Sequence, residues 1–339
     1  MLHVNSGQRN NGNGRSDLTG SVLEVVGLNK EFRIGRWRKA RTVHAVTDFS
    51  LTLKKQEVVA LVGESGSGKT TVARLITRLY RPTSGVIRLN GEPVKERMSR
   101  RELLRFRKSV QMIFQDPYAS LNPLHTVGYT LSRPLQLHGI ARGDALRGHV
   151  ERLLEQCGLI PPERYIDKLP HELSGGQRQR IGIARALAVG PQLVLADEPT
   201  SMLDVSIRLD IMNLMLDLKE EEGLSYIFIT HDLAGAHYMA DRIAIMYAGH
   251  LVELGPSDTV IDEPKHPYTE LLRNAAPKPE TRLKPEPVDT DYEVPDLTNL
   301  PNGCPFAPRC PKARPACSRV LPELREIEPG RSVRCTLYD

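Results

Sequence analysis

Apolar positions in this chain recur at two periods, and the switches between them outline an alternating α/β architecture. Residues 22–26 and 43–53 alternate as half-buried strands do, with a basic loop between them. Residues 86–89 form another strand, entered by a turn at 82–85 and left through Asn90-Gly91, a hairpin signal. These early strands predict an antiparallel sheet. Three short apolar runs without alternation (57–62, 192–196 and Ser225–Thr230) read as buried parallel strands, and 110–114 as a fourth strand. Val72, Leu75, Ile76 and Leu79 take the spacing of one helix face, as do Val150, Leu153, Leu154 and Cys157. A helix over 177–189 closes at Gly190-Pro191, and another over 207–218 ends near Gly223. Residues 118–169 read as a helical insertion. Residues 1–20 are rich in Asn, Gly and Ser and predict a disordered tail. After about 265, prolines accumulate (Pro277, Pro279, Pro285, Pro287, Pro295, Pro301) and four of the five cysteines follow, which places a boundary there.

Composition changes this picture little. With 339 residues, 40% hydrophobic and 26% charged, the chain is of globular type, with room for two domains or for one with extensions. No apolar run is long enough to span a bilayer and the N-terminus carries no secretory pattern, so a membrane role has to come through partners. The net charge of +5 is modest, and the basic clusters at 36–41 and 95–108 read as solvated faces. Aromatic residues are sparse and not interleaved with them, which argues against a nucleic-acid platform.

The chemistry centres on Gly63-Glu64-Ser65-Gly66-Ser67-Gly68-Lys69-Thr70-Thr71. A glycine turn before an ordinary helix is the plain alternative, but strand, glycine loop and helix in that order are the context of a phosphate-binding loop. Backbone N–H groups and the helix N-terminus would face phosphate oxygens, Lys69 would reach the β- and γ-phosphates, and the Thr70 hydroxyl would take a Mg²⁺ position. Asp197 and Glu198 end the strand at 192–196, and His231 follows Ser225–Thr230. Three strand ends on one sheet edge thus present a phosphate loop, a carboxylate pair and a histidine. ATP hydrolysis needs such a set: Asp197 for the metal's hydration shell, Glu198 to polarise the attacking water.

Leu173-Ser174-Gly175-Gly176-Gln177 resembles the signature motif of ATP-binding cassette (ABC) ATPases. Residues 193–198 resemble their Walker B strand, Ser201-Met202-Leu203-Asp204 the D-loop, Gln115 the Q-loop and His231 the switch histidine. Each motif occurs once, in family order, across 22 to about 265. The resemblance implies a P-loop NTPase fold: a RecA-like parallel sheet with an antiparallel β subdomain, a helical subdomain at about 118–190, and a cassette spanning 21–265. It further implies ATP and Mg²⁺, with Gln115 contacting the metal and His231 the γ-phosphate. It implies a head-to-tail dimer in which Ser174, Gly175, Gly176 and Gln177 close on the partner's nucleotide, near the D-loop Asp204. The family stacks an aromatic residue on adenine at the place of Phe32, with Trp37 as a rival. Met202 departs from the usual D-loop alanine.

Residues 115–123 and His266-Pro267-Tyr268-Thr269, with the tail that follows, resemble the peptide/nickel importer branch. Gln177-Arg178-Gln179-Arg180 and Ser206-Ile207 are closer to the second ATPase of the usual pair. That branch implies a second ATPase subunit, two membrane permeases, an extracytoplasmic binding protein and a place on the cytoplasmic face of the membrane. Its cargo is commonly di- or oligopeptides, in relatives nickel, glutathione or oligosaccharides. Soluble non-transport ABC ATPases form a second class, disfavoured here by the single cassette and the absence of heptads.

Cys304, Cys310, Cys317 and Cys335, with five, six and seventeen residues between them, stand in the extension at 266–339. A proline-dense segment that buries little needs a staple. Disulfides fit a reducing compartment poorly, structural zinc favours tighter pairs, and four thiolates suit a [4Fe–4S] cluster, which the resembled branch holds there. Four free thiols remain the plain reading. Cys157, on an apolar helix face, reads as an ordinary core thiol.

Overall fold

The computed structural model describes residues 20–35, 40–275 and 295–339. The expected N-terminal tail (apart from Gly20), Trp37 and the prolines from 277 to 287 lie outside the described residues. In chain order the strands are β1 (Ser21–Ile34), β2 (Arg41–Lys54), β3 (Val58–Val62), β4 (Ser84–Leu89), β5 (Glu92–Pro93) and β6 (Val110–Ile113). They continue with β7 (Leu193–Asp197), β8 (Ser225–Thr230), β9 (Arg242–Tyr247), β10 (His250–Pro256), β11 (Arg325–Glu328) and β12 (Arg331–Val333).

The early strands form the expected antiparallel sheet, ordered β2-β1-β4-β5. Asn90 and Gly91, with φ of 51° and 80°, make the two-residue turn between β4 and β5. The larger sheet is ordered β11-β12-β10-β9-β3-β8-β7-β6. Its members from β9 to β6 run parallel. All five side chains of β3 are buried, as the unalternating run requires of a strand covered on both faces. Each of its valines and its leucine contributes about 1.5–3 kcal/mol relative to exposure. The pairs Val62↔Thr230 and Asp197↔Ile229 bring the C-terminal ends of β3, β7 and β8 level.

The helical region comprises Pro117–Ser120, Val127–Leu137, Ala145–Gln156, Glu163–Ile166 and Gly175–Leu187. Val150, Leu153, Leu154 and Cys157 are buried together there, and burial pushes the Cys157 thiol up to about 12. Some helices differ from the reading of the sequence. The one after the glycine loop spans only Lys69–Ile76, so Leu79 falls beyond it and is half exposed. The basic cluster at 95–108 contains an unpredicted helix, Arg100–Ser109, opened by a Ser99–Glu102 capping box. It buries Phe106, and its arginines and Lys108 are exposed, as a solvated face requires.

The boundary near 265 does not separate two bodies, because β12 and β11 extend the main sheet beyond β10. Arg331, almost fully buried, donates to Glu253 Oε1 at 3.0 Å. Both oxygens of that buried carboxylate also accept backbone N–H groups, from Lys265 at 3.0 Å and His266 at 2.9 Å. A buried charge pair is tolerable only with such additional bonds.

Candidate active site

The glycine loop follows β3 and cannot be replaced by bulkier residues. A Cβ on Gly63 would come within 2.2 Å of the Met246 carbonyl oxygen. Gly68 has φ +102°, and a Cβ there would meet the Ala45 carbonyl oxygen at 2.4 Å. Gly68 also caps the helix Lys69–Ile76, whose first N–H groups open toward the loop. Lys69 is buried beneath it and donates to the carbonyls of Gly63 (2.7 Å) and Glu64 (2.8 Å), with Ser67 Oγ at 3.4 Å. Burial lowers the Lys69 pKa, opposed by the charges of Glu198, Asp197 and Glu64. Ser65 and Gly66 form the exposed tip, and Thr70 and Thr71 begin the helix behind it.

Thr70 Oγ1 donates to Asp197 Oδ1 at 3.0 Å. Burial raises the Asp197 pKa, while the bond from Thr70 works against the rise. Two hard oxygens side by side at a helix N-terminus fit a Mg²⁺ ion completed by phosphate and water.

One residue on, Glu198 has φ +47°, a region that a side chain rarely adopts. Its N–H donates to Ile229 O at 2.9 Å, and Ser201 Oγ donates to its carbonyl at 3.0 Å, so both sides of the strained residue are fixed. Glu198 Oε2 accepts Gln115 Nε2 at 3.2 Å and lies 3.2 Å from His231 Nδ1. Three widely separated parts of the chain thus meet on one carboxylate oxygen, which can hold and polarise a water at the loop.

Ser174 caps the helix Gly175–Leu187, two residues earlier than expected from the sequence. Its hydroxyl accepts from Gln177 N–H at 3.2 Å, and Gln177 Oε1 accepts from Ser174 N–H at 3.0 Å. A Cβ on Gly176 would meet Ile207 Cγ2 at 2.8 Å, so a glycine lets this helix pack on Val205–Glu222. Asp204 caps the latter helix without a side-chain bond and is exposed. Ser174 is exposed too, and the two motifs flank one surface that also shows Met202, Val205 and Leu209.

Phe32 on β1 is half-buried, edge-on to Tyr80 at 5.4 Å, with the Lys30 ammonium 4.8 Å above its ring. Trp37 lies outside the described residues.

Two residues at the loop were not placed there from the sequence, although Tyr268 belongs to the His266-Pro267-Tyr268-Thr269 motif. Tyr268 Oη accepts the Glu64 N–H at 2.9 Å, and Arg309 clamps the Glu64 carboxylate with bonds of 2.9 and 3.1 Å. Both belong to the extension. Its four cysteines are free and line one cavity with His266 and Phe306. Burial pushes the Cys304 thiol up to about 11 and raises Cys310 and Cys335 as well, so these groups are protonated at neutral pH. The donor set fits a metal cluster, but the cavity is about 10 Å³, room for one water. Among the described residues no three His, Cys, Asp or Glu side chains are disposed to hold a metal ion, so the expected cluster has no preformed ligand set.

Comparison with known proteins follows this geometry closely. A family profile described as ABC transporter matches residues 46–201, and one described as oligopeptide/dipeptide transporter, C-terminal region, matches 252–317. The chain is 45% identical over 320 residues to the putative oligopeptide transport ATP-binding protein YkfD of Bacillus subtilis, covering 94% of this chain and 95% of that one. It is 45% identical to the oligopeptide transport ATP-binding protein OppF of the same organism, covering 94% and 97%. Among solved structures, the dimeric ATP-binding cassette MJ0796 in a post-hydrolysis state with ADP and Pi superposes with a TM-score of 0.62 at 31% identity. That match covers 69% of this chain and 98% of the cassette. CbiO1 of Clostridium perfringens, part of an ABC transporter complex, gives 0.62 at 28% identity over 72% and 92%.

Proposed function

The chain belongs to the ABC transporter family, among the oligopeptide transport ATP-binding proteins, and from that premise we propose that 63–71, Gln115, Asp197, Glu198 and His231 form its ATP-hydrolysing site. It is an ATPase that powers peptide uptake by an ABC importer. The carrying observation is the convergence of Gln115 and His231 on Glu198 beside the Thr70–Asp197 pair.

In this reading the loop N–H groups and Lys69 bind the phosphates, while Thr70 and Asp197 would hold Mg²⁺, which would supply neutralisation of phosphate charge. Glu198 accepts the proton of the attacking water, and His231 and Gln115 orient its carboxylate. Phe32, with Trp37 as its rival, is the candidate for stacking on adenine. Ser174, Gly175, Gly176 and Gln177, with Asp204, serve a partner's nucleotide, a role supported by the exposure of Ser174 and Asp204 and of the apolar Met202, Val205 and Leu209.

Among the described residues no helix is long and apolar enough to cross a membrane. By its kinship with oligopeptide transport ATP-binding proteins, permease subunits supply the membrane path, and the chain works peripherally at the cytoplasmic face, paired with a second ATPase. Exposed Phe114, Tyr118 and Leu124 after β6 suit docking to such subunits. The cassette runs over 21–265 with its helical subdomain at about 118–190, and the extension over 266–339. In the extension, Cys304, Cys310, Cys317 and Cys335 are proposed as ligands of a [4Fe–4S] cluster, supported by their convergence on one cavity.

Replacing Glu198 by Gln keeps the shape and removes the base. ATP hydrolysis should fall by ~10²-fold or more, the scale of a lost general base, while nucleotide binding persists. Hydrolysis at close to the parent rate would remove Glu198 from this role.

A further inference from the structure

We propose that the C-terminal extension supplies two positioning residues to the nucleotide site, Tyr268 and Arg309, which hold the phosphate loop through Glu64. The inference rests on the nucleotide site proposed above. All three polar groups of Glu64 are engaged. Its carbonyl accepts from Lys69, its N–H donates to Tyr268 Oη, and its carboxylate takes both arms of Arg309. Two of the three partners come from beyond the cassette.

Both partners are themselves rigid. Tyr268 is fully buried, its ring 4.6 Å from that of Tyr247 and 5.4 Å from Phe306. Tyr247 ends β9, the strand beside β3, so the aromatic group is fixed to the sheet that carries the loop. Arg309 sits in the turn between Cys304 and Cys310, its side chain 16% exposed, with NH1 3.4 Å from Tyr247 Oη. A planar fork on a carboxylate fixes direction as well as distance.

Anchoring of the extension does not require this clamp. The extension already joins the sheet through β12, Arg331 binds Glu253, and Arg334 binds Asp48 at 3.0 Å. The loop has greater need of it. Its tip, Ser65 and Gly66, is exposed, and Gly66 with φ +80° has nothing near its Cβ position. Lys69 also depends on Glu64, since one of its short bonds is to the Glu64 carbonyl. Fixing Glu64 therefore sets both the loop's curl and the resting place of the lysine before nucleotide arrives. Such preorganisation acts on binding and leaves the chemistry at Glu198 untouched.

The full-length protein should be titrated with a fluorescent ATP analogue, alongside melting curves without nucleotide. For Tyr268→Phe and Arg309→Gln we expect affinity to weaken about ten-fold, the scale of one lost hydrogen bond, neutral at Tyr268 and charge-assisted at Arg309. The rate at saturating ATP should stay near that of the parent, and Arg309→Lys should recover only part of the affinity because it lacks the fork. Glu64→Gln should weaken binding similarly, and combining it with Arg309→Gln should add nothing further. If Arg309→Gln lowers the melting temperature so far that the extension is lost, Tyr268→Phe and Glu64→Gln decide alone. Parent-like affinity in those two variants, or simple additivity in the pair, overturns the proposal. A parent that binds no nucleotide overturns the site itself instead.

Discussion

At Glu198 the backbone enters the left-handed region directly before Pro199 and is held there from both sides. A strained residue fixed at the end of a strand keeps its carboxylate where Gln115 and His231 can reach it. Strain of this kind cannot be read from Asp-Glu-Pro in a sequence, although the identities of the three side chains can. His250 is a second residue whose state depends on the fold. It is buried at the start of β10, with Nδ1 2.8 Å from the Ala248 carbonyl. Burial, aided by Arg334 and His44 and opposed by the Ala248 bond and Asp48, pushes its pKa down to about 4. The unfolded chain takes up a proton below about pH 6.5, and the folded chain refuses it until about 4. Stability is therefore complete above the unfolded value and is lost as pH falls across that window, by about 3 kcal/mol from this group. Denaturant titrations at several pH values should show the parent losing stability more steeply than His250→Gln between pH ~6.5 and ~4. Parallel slopes would remove His250 as the cause.

Among the elements, those that carry their own signal were legible. The buried parallel strands, the hairpin at Asn90-Gly91 and the helix stopped at Gly223, with φ +67°, follow from local chemistry. Elements made by distant partners were not. β11 and β12 are short and polar, and become strands only because β10 offers an edge. The Arg100–Ser109 helix buries a single side chain, so its apolar stripe is too thin to stand out. For the same reason the contact of the His266-Pro267-Tyr268 stretch with the glycine loop could not be foreseen. The cysteine segment is an element of this second kind, since its four thiols come to line one cavity only through the fold. Protonated thiols must release protons to ligate, so cluster assembly in this segment should weaken as pH falls. Protein purified without oxygen should be brown and hold iron and sulfide in near-equal amounts, a signature that serine at Cys304 and Cys310 abolishes. Colourless anaerobic protein, with stoichiometric zinc or with no metal, would show that the thiols hold no cluster.

For the whole molecule, the decisive feature is that its two candidate anion sites open from different elements. The glycine loop opens from β3 on the main sheet, whereas Ser174 opens the helix Gly175–Leu187 and has its hydroxyl engaged by Gln177. The exposed Met202, Val205 and Leu209 beside Ser174 offer apolar area that a lone subunit leaves in water. A site completed by a second subunit uses both features, and separates binding from hydrolysis in a way that one chain acting alone would not. Nucleotide should bind to the monomer through its own loop, so Ser174→Arg should leave the affinity for a fluorescent ATP analogue unchanged. Hydrolysis needs the pair, so specific activity should rise steeply with protein concentration or with addition of the partner ATPase. In the assembled pair Ser174→Arg should cut it to about half or less, because each interface with a defective signature loses one of two sites. Specific activity that stays constant down to dilute monomer, or a Ser174→Arg protein that hydrolyses ATP like its parent, would mean that a single chain completes its own site.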